Sequence, residues 1–132
     1  MKQGTNYSAA EYSVSNSAPK VFMASELGMS GSEVSLGFLA RGTGSPFVHA
    51  HKRNEETYLI VRGHGLFHVD GDEFPVVEGS VVRVASAGKR ALKADDDSDL
   101  VYYCIQSDSD SLRQATRDDG MIVAHPTSWL KG

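Results

Sequence analysis

Short apolar runs, broken at close intervals by turn residues, are the feature that most constrains the fold of this chain. No helical period of apolar residues separates these runs, so each is predicted to be a strand. The predicted strands are Val21–Met23, Glu33–Leu39, Phe47–His51, Thr57–Val61, Leu66–Val69, Phe74–Val77, Val81–Ala85, Lys89–Lys93 and Leu100–Gln106. So many short strands joined by tight turns favour an all-β antiparallel sandwich or small barrel over an α/β fold.

Turn residues fill the gaps between the runs. Asp70-Gly71 lies between two alternating runs and gives the clearest hairpin prediction. Residues 107–120, rich in Asp, Ser and Arg, are expected to form a short helix or a loop, and Met121–Val123 an edge strand. The acidic stretch Asp95–Asp99 is expected to be a solvated loop, with a cation site as the alternative.

The chain length of 132 residues fits one domain. We divide that domain into an N-terminal arm with an edge strand over 1–30, a barrel core over 31–106 and a loop or edge segment over 107–132. The arm is rich in Ser, Ala, Asn and Gly and needs a surface to lie on.

Charge and cysteine usage exclude several classes of partner. The net charge of −4 provides no basic surface for nucleic acid or an anionic membrane. No apolar run approaches the roughly 18 residues needed to span a bilayer, and the first residues lack the apolar stretch of a secretory signal. A single cysteine, Cys104, cannot form an internal disulfide, which is typical of a reducing compartment. A cytoplasmic location is therefore expected.

Two histidines and a glutamate form the candidate chemical site. In a strand over 47–51, alternation places His49 and His51 on one face. If 52–55 turns a hairpin, Glu56 comes near this pair. Two imidazoles and one carboxylate suit a divalent metal such as Fe, Mn, Ni or Zn, and they leave positions open for a substrate. The alternative is that all three are surface or core side chains without a metal.

The spacing around these residues resembles the first motif of the cupin superfamily. In that motif a glycine precedes HxH, three or four residues lead to a Glu, and six more lead to a Gly. Here His49 and His51 flank one residue, four residues lead to Glu56, and six more lead to Gly63. Thr43 occupies the position expected for the leading glycine. The likeness spans about residues 33–106 and implies a double-stranded β-helix, a jelly-roll-like barrel with a metal at its mouth.

The resemblance also implies a fourth ligand, a His in a second motif that is degraded here. Gly79 begins this motif, but the expected Pro is absent and the His position falls on Arg90 or Ala91, depending on whether a bulge is allowed. A guanidinium has no lone pair to offer a metal. Three outcomes stay open: the first-motif residues hold the metal with waters, another residue substitutes, or the pocket binds a molecule without metal.

Four other residues could supply the missing ligand or have no part in the site. His68 is expected to point outward because its neighbours look buried, and Cys104 to pack as a small hydrophobe. His64 lies in a glycine-flanked turn and His125 in the tail, so both are expected to be exposed.

The predicted pocket has three catalytic candidates, Glu56, Tyr58 and Arg90. Phe47, Tyr58 and Ile60 share the ligand face and can wall a small organic molecule, with the Tyr58 hydroxyl as a polar group. Glu56 can alternate between metal ligand and base. Arg90 can clamp a substrate carboxylate or phosphate, or it is a solvated arginine at the barrel rim.

These observations predict a metal-dependent cupin that acts on a small polar metabolite as an isomerase or dioxygenase. The alternative is a non-catalytic module that binds or senses a small molecule or metal. A third interpretation has the arm swapping onto a partner and the pocket left without a role. A homodimer is expected, from the resemblance and because exposed sheet edges need covering.

Overall fold

The computed structural model of the protein describes residues 1–113 and 115–130. The strands are β1 (Lys2–Gln3), β2 (Ser8–Ala9), β3 (Lys20–Phe22), β4 (Ser32–Leu39), β5 (Asn54–Arg62), β6 (Gly65–Val69), β7 (Asp72–Val76), β8 (Val81–Val84), β9 (Arg90–Ala94) and β10 (Leu100–Asp108). One short α-helix, α1 (Ala24–Leu27), and one 3₁₀-helix (Arg117–Asp119) complete the described elements. Within those residues, no helix is long and apolar enough to cross a membrane. The predicted all-β fold is confirmed.

Two antiparallel sheets form the body of the fold. The larger sheet has the order β3-β4-β10-β5-β8, and the smaller has the order β7-β6-β9. β1 and β2 pair separately in the N-terminal arm. The β6–β7 hairpin turns at Asp70-Gly71, where both residues have positive φ (53° and 91°), as a type I′ hairpin turn requires. The hairpin prediction is confirmed.

Alternation along the central strands separates two apolar clusters. In β10, Tyr102 and Cys104 face the space between the sheets, while Val101 and Tyr103 face outward. The inner cluster draws buried residues from both sheets: Tyr58, Ile60, Phe67, Val76, Val84, Leu92, Ala94, Leu100, Tyr102 and Cys104. Burial of this apolar surface holds the two sheets face to face.

The N-terminal arm packs on the outer face of the larger sheet. Met23 and Leu36 are buried there beside Val101, and side chains of the arm such as Tyr12 pack against them. The arm continues into β3, which pairs with β4 and forms one edge of the larger sheet. The surface that the arm needs is therefore supplied by its own chain.

Two predicted strands are absent from the structure. The segment 47–51 forms only one isolated bridge, between His49 and Arg90, because its backbone bonds to β9 and the preceding turn at His49 and His51 without forming a continuous ladder. Met121–Val123 has exposed side chains and no strand pairing among residues 1–113 and 115–130. Apolar composition indicated a strand at both places, but a strand also needs a continuous ladder of backbone hydrogen bonds to a neighbouring segment. Both predictions are wrong.

Candidate metal centre and pocket

The segment 47–51, which carries His49 and His51, is hydrogen-bonded to β9 and to the turn before it. The predicted hairpin would have paired it with β5. His49 exchanges two backbone hydrogen bonds with Arg90, with N···O distances of 3.1 and 2.9 Å. The His51 amide donates to the carbonyl oxygen of Ser86 at 2.8 Å. Alternate residues are thus anchored to the same partner segment. This attachment carries both imidazoles to the mouth of the barrel.

Glu56 reaches the same point from β5. Its neighbours across the sheet are Gln106 in β10 and Val84 in β8, and its side chain is 5% exposed. His51 Nε2 lies 3.0 Å from Glu56 Oε2, and His49 Nε2 lies 3.7 Å from Oε1. The structure therefore brings together the three residues that the first motif indicated, and together they could hold one metal ion.

The Nε2 atom of His51 is buried and has no hydrogen-bond partner in the described part of the chain, although Glu56 Oε2 is only 3.0 Å away. A buried polar atom without a partner costs about 1–3 kcal/mol, so such atoms call for an explanation. An imidazole nitrogen and a carboxylate oxygen that converge on one point are the donor types that a divalent metal takes. The site fits such an ion.

Arg90 is fully buried and is not a solvated arginine at the rim. Its Nη1 donates to Glu56 Oε1 at 2.7 Å, and its Nε and Nη2 donate to the carbonyl oxygens of Gly88 (3.0 Å), Ala85 (2.7 Å) and Ser86 (3.3 Å). The position expected for a fourth ligand is thus held by a cation that pairs with the carboxylate. Four of its five N–H donors are used within the protein.

Tyr58 completes the surroundings of Glu56. The Tyr58 hydroxyl donates to Glu56 Oε1 at 2.6 Å, and burial raises the pKa of Tyr58, which keeps the phenol protonated as a donor. Burial alone would raise the pKa of Glu56, but the hydrogen bonds from Tyr58 and Arg90 lower it to about 2. Both donors are directed at Oε1. Oε2 is left facing His51.

His49 lies on the solvent side of the site. Its side chain is 38% exposed, and its ring packs edge-on against that of His51, with centroids 5.2 Å apart. Burial lowers the pKa of His49, and the positive charge of Arg90 adds to that effect against the opposing charge of Glu56. The imidazole is therefore neutral near pH 7, the state in which it can bind a metal.

A cavity of about 300 Å³ opens beside His49. Tyr58 and Phe47 line it, as the sequence predicted, whereas Ile60 belongs to the inner core and does not reach it. The remaining lining residues are Pro19, Lys20, Phe38, Leu39, Ser45, Pro46, His49, Arg90, Ala91, Leu92 and Tyr102. Sequence reasoning missed Lys20 and Tyr102, because only the pairing of strands distant in sequence places them at the barrel mouth.

Among the other candidate ligands, His68 and His125 lie away from this site, whereas the Cys104 thiol lies beside the Glu56 carboxylate and helps to lower its pKa. His68 points outward and pairs with Glu73 at 3.3 Å, as expected. Cys104 is buried in the inner core, and burial raises the pKa of its thiol to about 12, so it packs as a small hydrophobe. His125 is exposed in the tail, as predicted.

His64 takes part in a second cluster of imidazole and carboxylates. Its Nδ1 lies 2.5 Å from Asp95 Oδ2, and its Nε2 lies 3.7 Å from Asp97 Oδ1. These side chains are between 43% and 81% exposed. The hydrogen bond to Asp95 occupies Nδ1, and solvent reaches the rest, so this cluster is explained as a surface ion pair.

Comparison with known proteins agrees with the sequence motif. Residues 36–106 match a family model described as a cupin domain. No curated protein matches the chain.

Solved structures extend the likeness beyond the motif. A cupin protein from Bacteroides fragilis is 38% identical, with a TM-score of 0.81, over 92% of this chain and 100% of the other. A sugar phosphate isomerase of the cupin superfamily from Silicibacter pomeroyi is 18% identical, with a TM-score of 0.60, over 68% of this chain and 59% of the other. A putative sugar phosphate isomerase from Acidithiobacillus ferrooxidans is 22% identical, with a TM-score of 0.61, over 69% and 59%. The last two support the fold alone.

Proposed function

The chain belongs to the cupin family, and from this premise we propose that it is a metal-dependent small-molecule cupin in which His49, His51 and Glu56 hold one divalent ion. The observation that carries the proposal is the buried Nε2 of His51, which has no hydrogen-bond partner among the described residues and faces Glu56 Oε2. An isomerase or a dioxygenase acting on a small polar metabolite is the activity proposed.

The chain's own residues have separable roles in this proposal. Arg90 and Tyr58 fix Glu56 by hydrogen bonds to Oε1, so that the carboxylate presents Oε2 as a ligand. Because Oε1 is held in this way, we assign Glu56 as a ligand and not as a base. The adjoining cavity receives the substrate beside His49. A metal bound here supplies Lewis-acid polarisation for isomerisation or, if it is iron, an oxygenation centre.

A non-catalytic binding or sensing module is the second candidate, and the position of Arg90 favours it. The guanidinium neutralises the charge of Glu56 and replaces the fourth ligand that the family motif leads one to expect. With three ligands, only one of them anionic, the site should bind metal more weakly than a four-ligand site. A homodimer and a cytoplasmic location also remain predictions.

Metal binding is tested by elemental analysis of protein purified without an affinity tag and then loaded with Mn, Fe, Ni or Zn. We expect close to one ion per chain in the wild type and loss of that ion in His51→Ala. The matched control is His64→Ala, which removes an imidazole from the exposed cluster and should leave the metal content unchanged.

Two results would contradict the proposal. One is the absence of metal from the wild type with every ion tried, and the other is an unchanged metal content in His51→Ala. If metal binds, oxygen consumption and turnover of a metabolite panel separate the enzyme from the sensor, because only the enzyme converts its ligand.

A further inference from the structure

Strand register places Lys20 on the inner face of the larger sheet. Lys20 in β3 pairs with Gly37 in β4, Gly37 with Tyr102 in β10, and Tyr102 with Ile60 in β5. Residues directly opposite one another across a sheet share a face. Tyr102 and Ile60 belong to the inner cluster, so Lys20 stands at the outer end of an inward-facing row. An arm residue is thereby brought to the mouth of the barrel.

Gly37 leaves the space that this row needs. A Cβ at Gly37 would overlap the ring of Tyr102, which extends over the glycine toward β3. The Lys20 Nζ lies 5.5 Å from the centre of the Tyr102 ring and 5.6 Å from that of Phe22. Both distances are within the range of cation–π attraction. The ammonium group is therefore held above the aromatic wall of the cavity.

Lys20 brings a positive charge that nothing in the described part of the chain neutralises. No carboxylate among residues 1–113 and 115–130 lies within ion-pair distance of its Nζ. The one buried carboxylate at the site, Glu56, is already paired with Arg90 at 2.7 Å. Lys20 is exposed at the edge of the cavity, so its charge is solvated in the free protein and available to an anionic ligand.

Two of the other polar side chains of the cavity already have partners within the chain. Ser45 Oγ is within hydrogen-bond distance of the backbone nitrogen and oxygen of Leu92, at 3.2 Å each, and the Tyr58 hydroxyl donates to Glu56. Of the two cationic side chains that line the cavity, Arg90 is paired with Glu56 and Lys20 is not, so a phosphate group with up to two charges would be balanced less completely than a carboxylate. A carboxylate needs only one good cationic donor, and the walls formed by Leu39, Phe47 and Tyr102 suit an apolar body.

We propose that this cavity binds a small carboxylic acid with an apolar or aromatic body, and that Lys20 recognises its carboxylate. The assignment deepens the proposed function and rests on it, since the far end of such a ligand would lie beside His49. The volume of about 300 Å³ is at the lower end for small-molecule sites and limits the ligand to a compact acid.

The test compares charged and neutral probes in the metal-loaded protein by calorimetry or NMR titration. The probes are benzoate, phenylacetate and hexanoate, with benzamide as the uncharged analogue of benzoate and phenyl phosphate as the competing anion. A hydrogen bond to a charged group contributes about 1.5–3 kcal/mol, which corresponds to about 10- to 100-fold in affinity. We expect Lys20→Gln to weaken binding of at least one carboxylate by about that factor and Lys20→Arg to retain most of it.

Lys2→Gln is the matched control, because it removes the same charge from another part of the arm and should leave binding unchanged. Benzamide should bind weakly, and equally, to wild type and Lys20→Gln. The proposal is overturned if Lys20→Gln binds every carboxylate as well as the wild type does, if no carboxylate binds the wild type, or if phenyl phosphate binds more tightly than all three acids.

Metal content, measured on the same samples, separates this inference from the proposed function. Lys20→Gln should carry as much metal as the wild type, because Lys20 is not a ligand. Carboxylate binding that depends on Lys20 in a protein without metal would contradict the proposed function and leave the anion site standing. A full metal complement without carboxylate binding would contradict the anion site and leave the proposed function standing.

Discussion

Two clusters in this chain bring histidine and carboxylate side chains together, and they differ in what surrounds them. In the first, the Glu56 carboxylate is 5% exposed, and His51 presents a buried nitrogen without a partner among the described residues. In the second, His64 and Asp95 are both 43% exposed and are joined by a hydrogen bond. The residue types are similar, but among the described residues only the first cluster has a buried side-chain atom without a hydrogen-bond partner.

The difference shows why composition alone does not identify a metal site. An exposed carboxylate is solvated and screened, so pairing it with an imidazole changes its free energy little. A buried carboxylate needs compensation, which Arg90 and Tyr58 supply at one oxygen of Glu56. The other oxygen faces His51, where a metal ion could be held. Burial and incomplete hydrogen bonding therefore separate the clusters.

The largest expected effect is on the buried pair itself. Glu56→Ala leaves the Arg90 guanidinium buried without its counter-charge, and breaking a buried ion pair in this way costs about 3–5 kcal/mol. Urea denaturation measures the change in the free energy of unfolding. Glu56→Gln retains an acceptor for Arg90 and Tyr58 and should cost less, which provides a second variant if the alanine protein does not fold.

Asp95→Ala is the control for this prediction, since it removes a carboxylate from an exposed imidazole contact. Its unfolding free energy should stay close to that of the wild type. If Asp95→Ala destabilises the protein as much as Glu56→Ala does, the distinction between the two clusters by burial is wrong.

Near the second cluster, the backbone at Gly63 is expected to contribute more to the free energy of unfolding than the exposed side chains of His64 and Asp95 do. Gly63, directly before His64, has φ of +85°, and a Cβ there would overlap the carbonyl oxygen of Asp99. Gly63→Ala therefore adds backbone strain to steric overlap, together about 2–4 kcal/mol of destabilisation. The midpoint of urea denaturation measures this loss.

Gly71→Ala separates the two contributions. Gly71 has φ of +91°, but a Cβ there meets no atom within 4 Å, so only backbone strain of about 1–2 kcal/mol is expected. Equal losses in the two variants would mean that the contact between Gly63 and the Asp99 carbonyl contributes nothing.

Local patterns predicted what depends on local geometry. Alternation alone places Glu56, Tyr58 and Ile60 on one buried face of β5, and the structure confirms this. The motif spacing brought His49, His51 and Glu56 together, although the predicted strand over 47–51 is wrong. The three side chains still meet, because the segment 47–51 is hydrogen-bonded to β9 instead of to β5. The motif spacing therefore predicted which side chains lie together but not which strand holds them in place.

The positions of Lys20 and Arg90 depend on contacts between residues distant in sequence, and the sequence alone did not predict them. Lys20 reaches the barrel mouth through three strand pairings that join residues up to 65 positions apart, such as Gly37 with Tyr102. The sequence around Lys20 carries no sign of this placement, since the arm lacks periodicity. Arg90 could be aligned with a ligand position, but its burial against Glu56 depends on the turn that supplies carbonyl oxygens to its guanidinium.

The smallest expected effect is the pH dependence of the exposed cluster. The hydrogen bond to Asp95 raises the pKa of His64 above its ordinary value of 6.5; burial opposes this effect, and the charges of Asp97 and Asp95 add to it. A raised pKa in the folded state means that the contact stabilises the protonated imidazole. Its contribution is complete below about pH 6.5 and is lost as the pH rises through the folded-state pKa.

Asp95→Asn should therefore lower Tm at about pH 5.5 and have less effect at about pH 9, with both differences reduced by salt. Differential scanning calorimetry at low ionic strength measures the two differences. Asp96→Asn makes the same charge change at a residue that contacts Lys93, so its effect should not follow the protonation of His64. A larger effect of Asp95→Asn at high pH would contradict the assigned direction. A solvated ion pair costs less to break than a buried one. If Asp95→Asn lowered the stability as much as Glu56→Ala does, and salt did not reduce that loss, exposure would not weaken the interactions of this cluster.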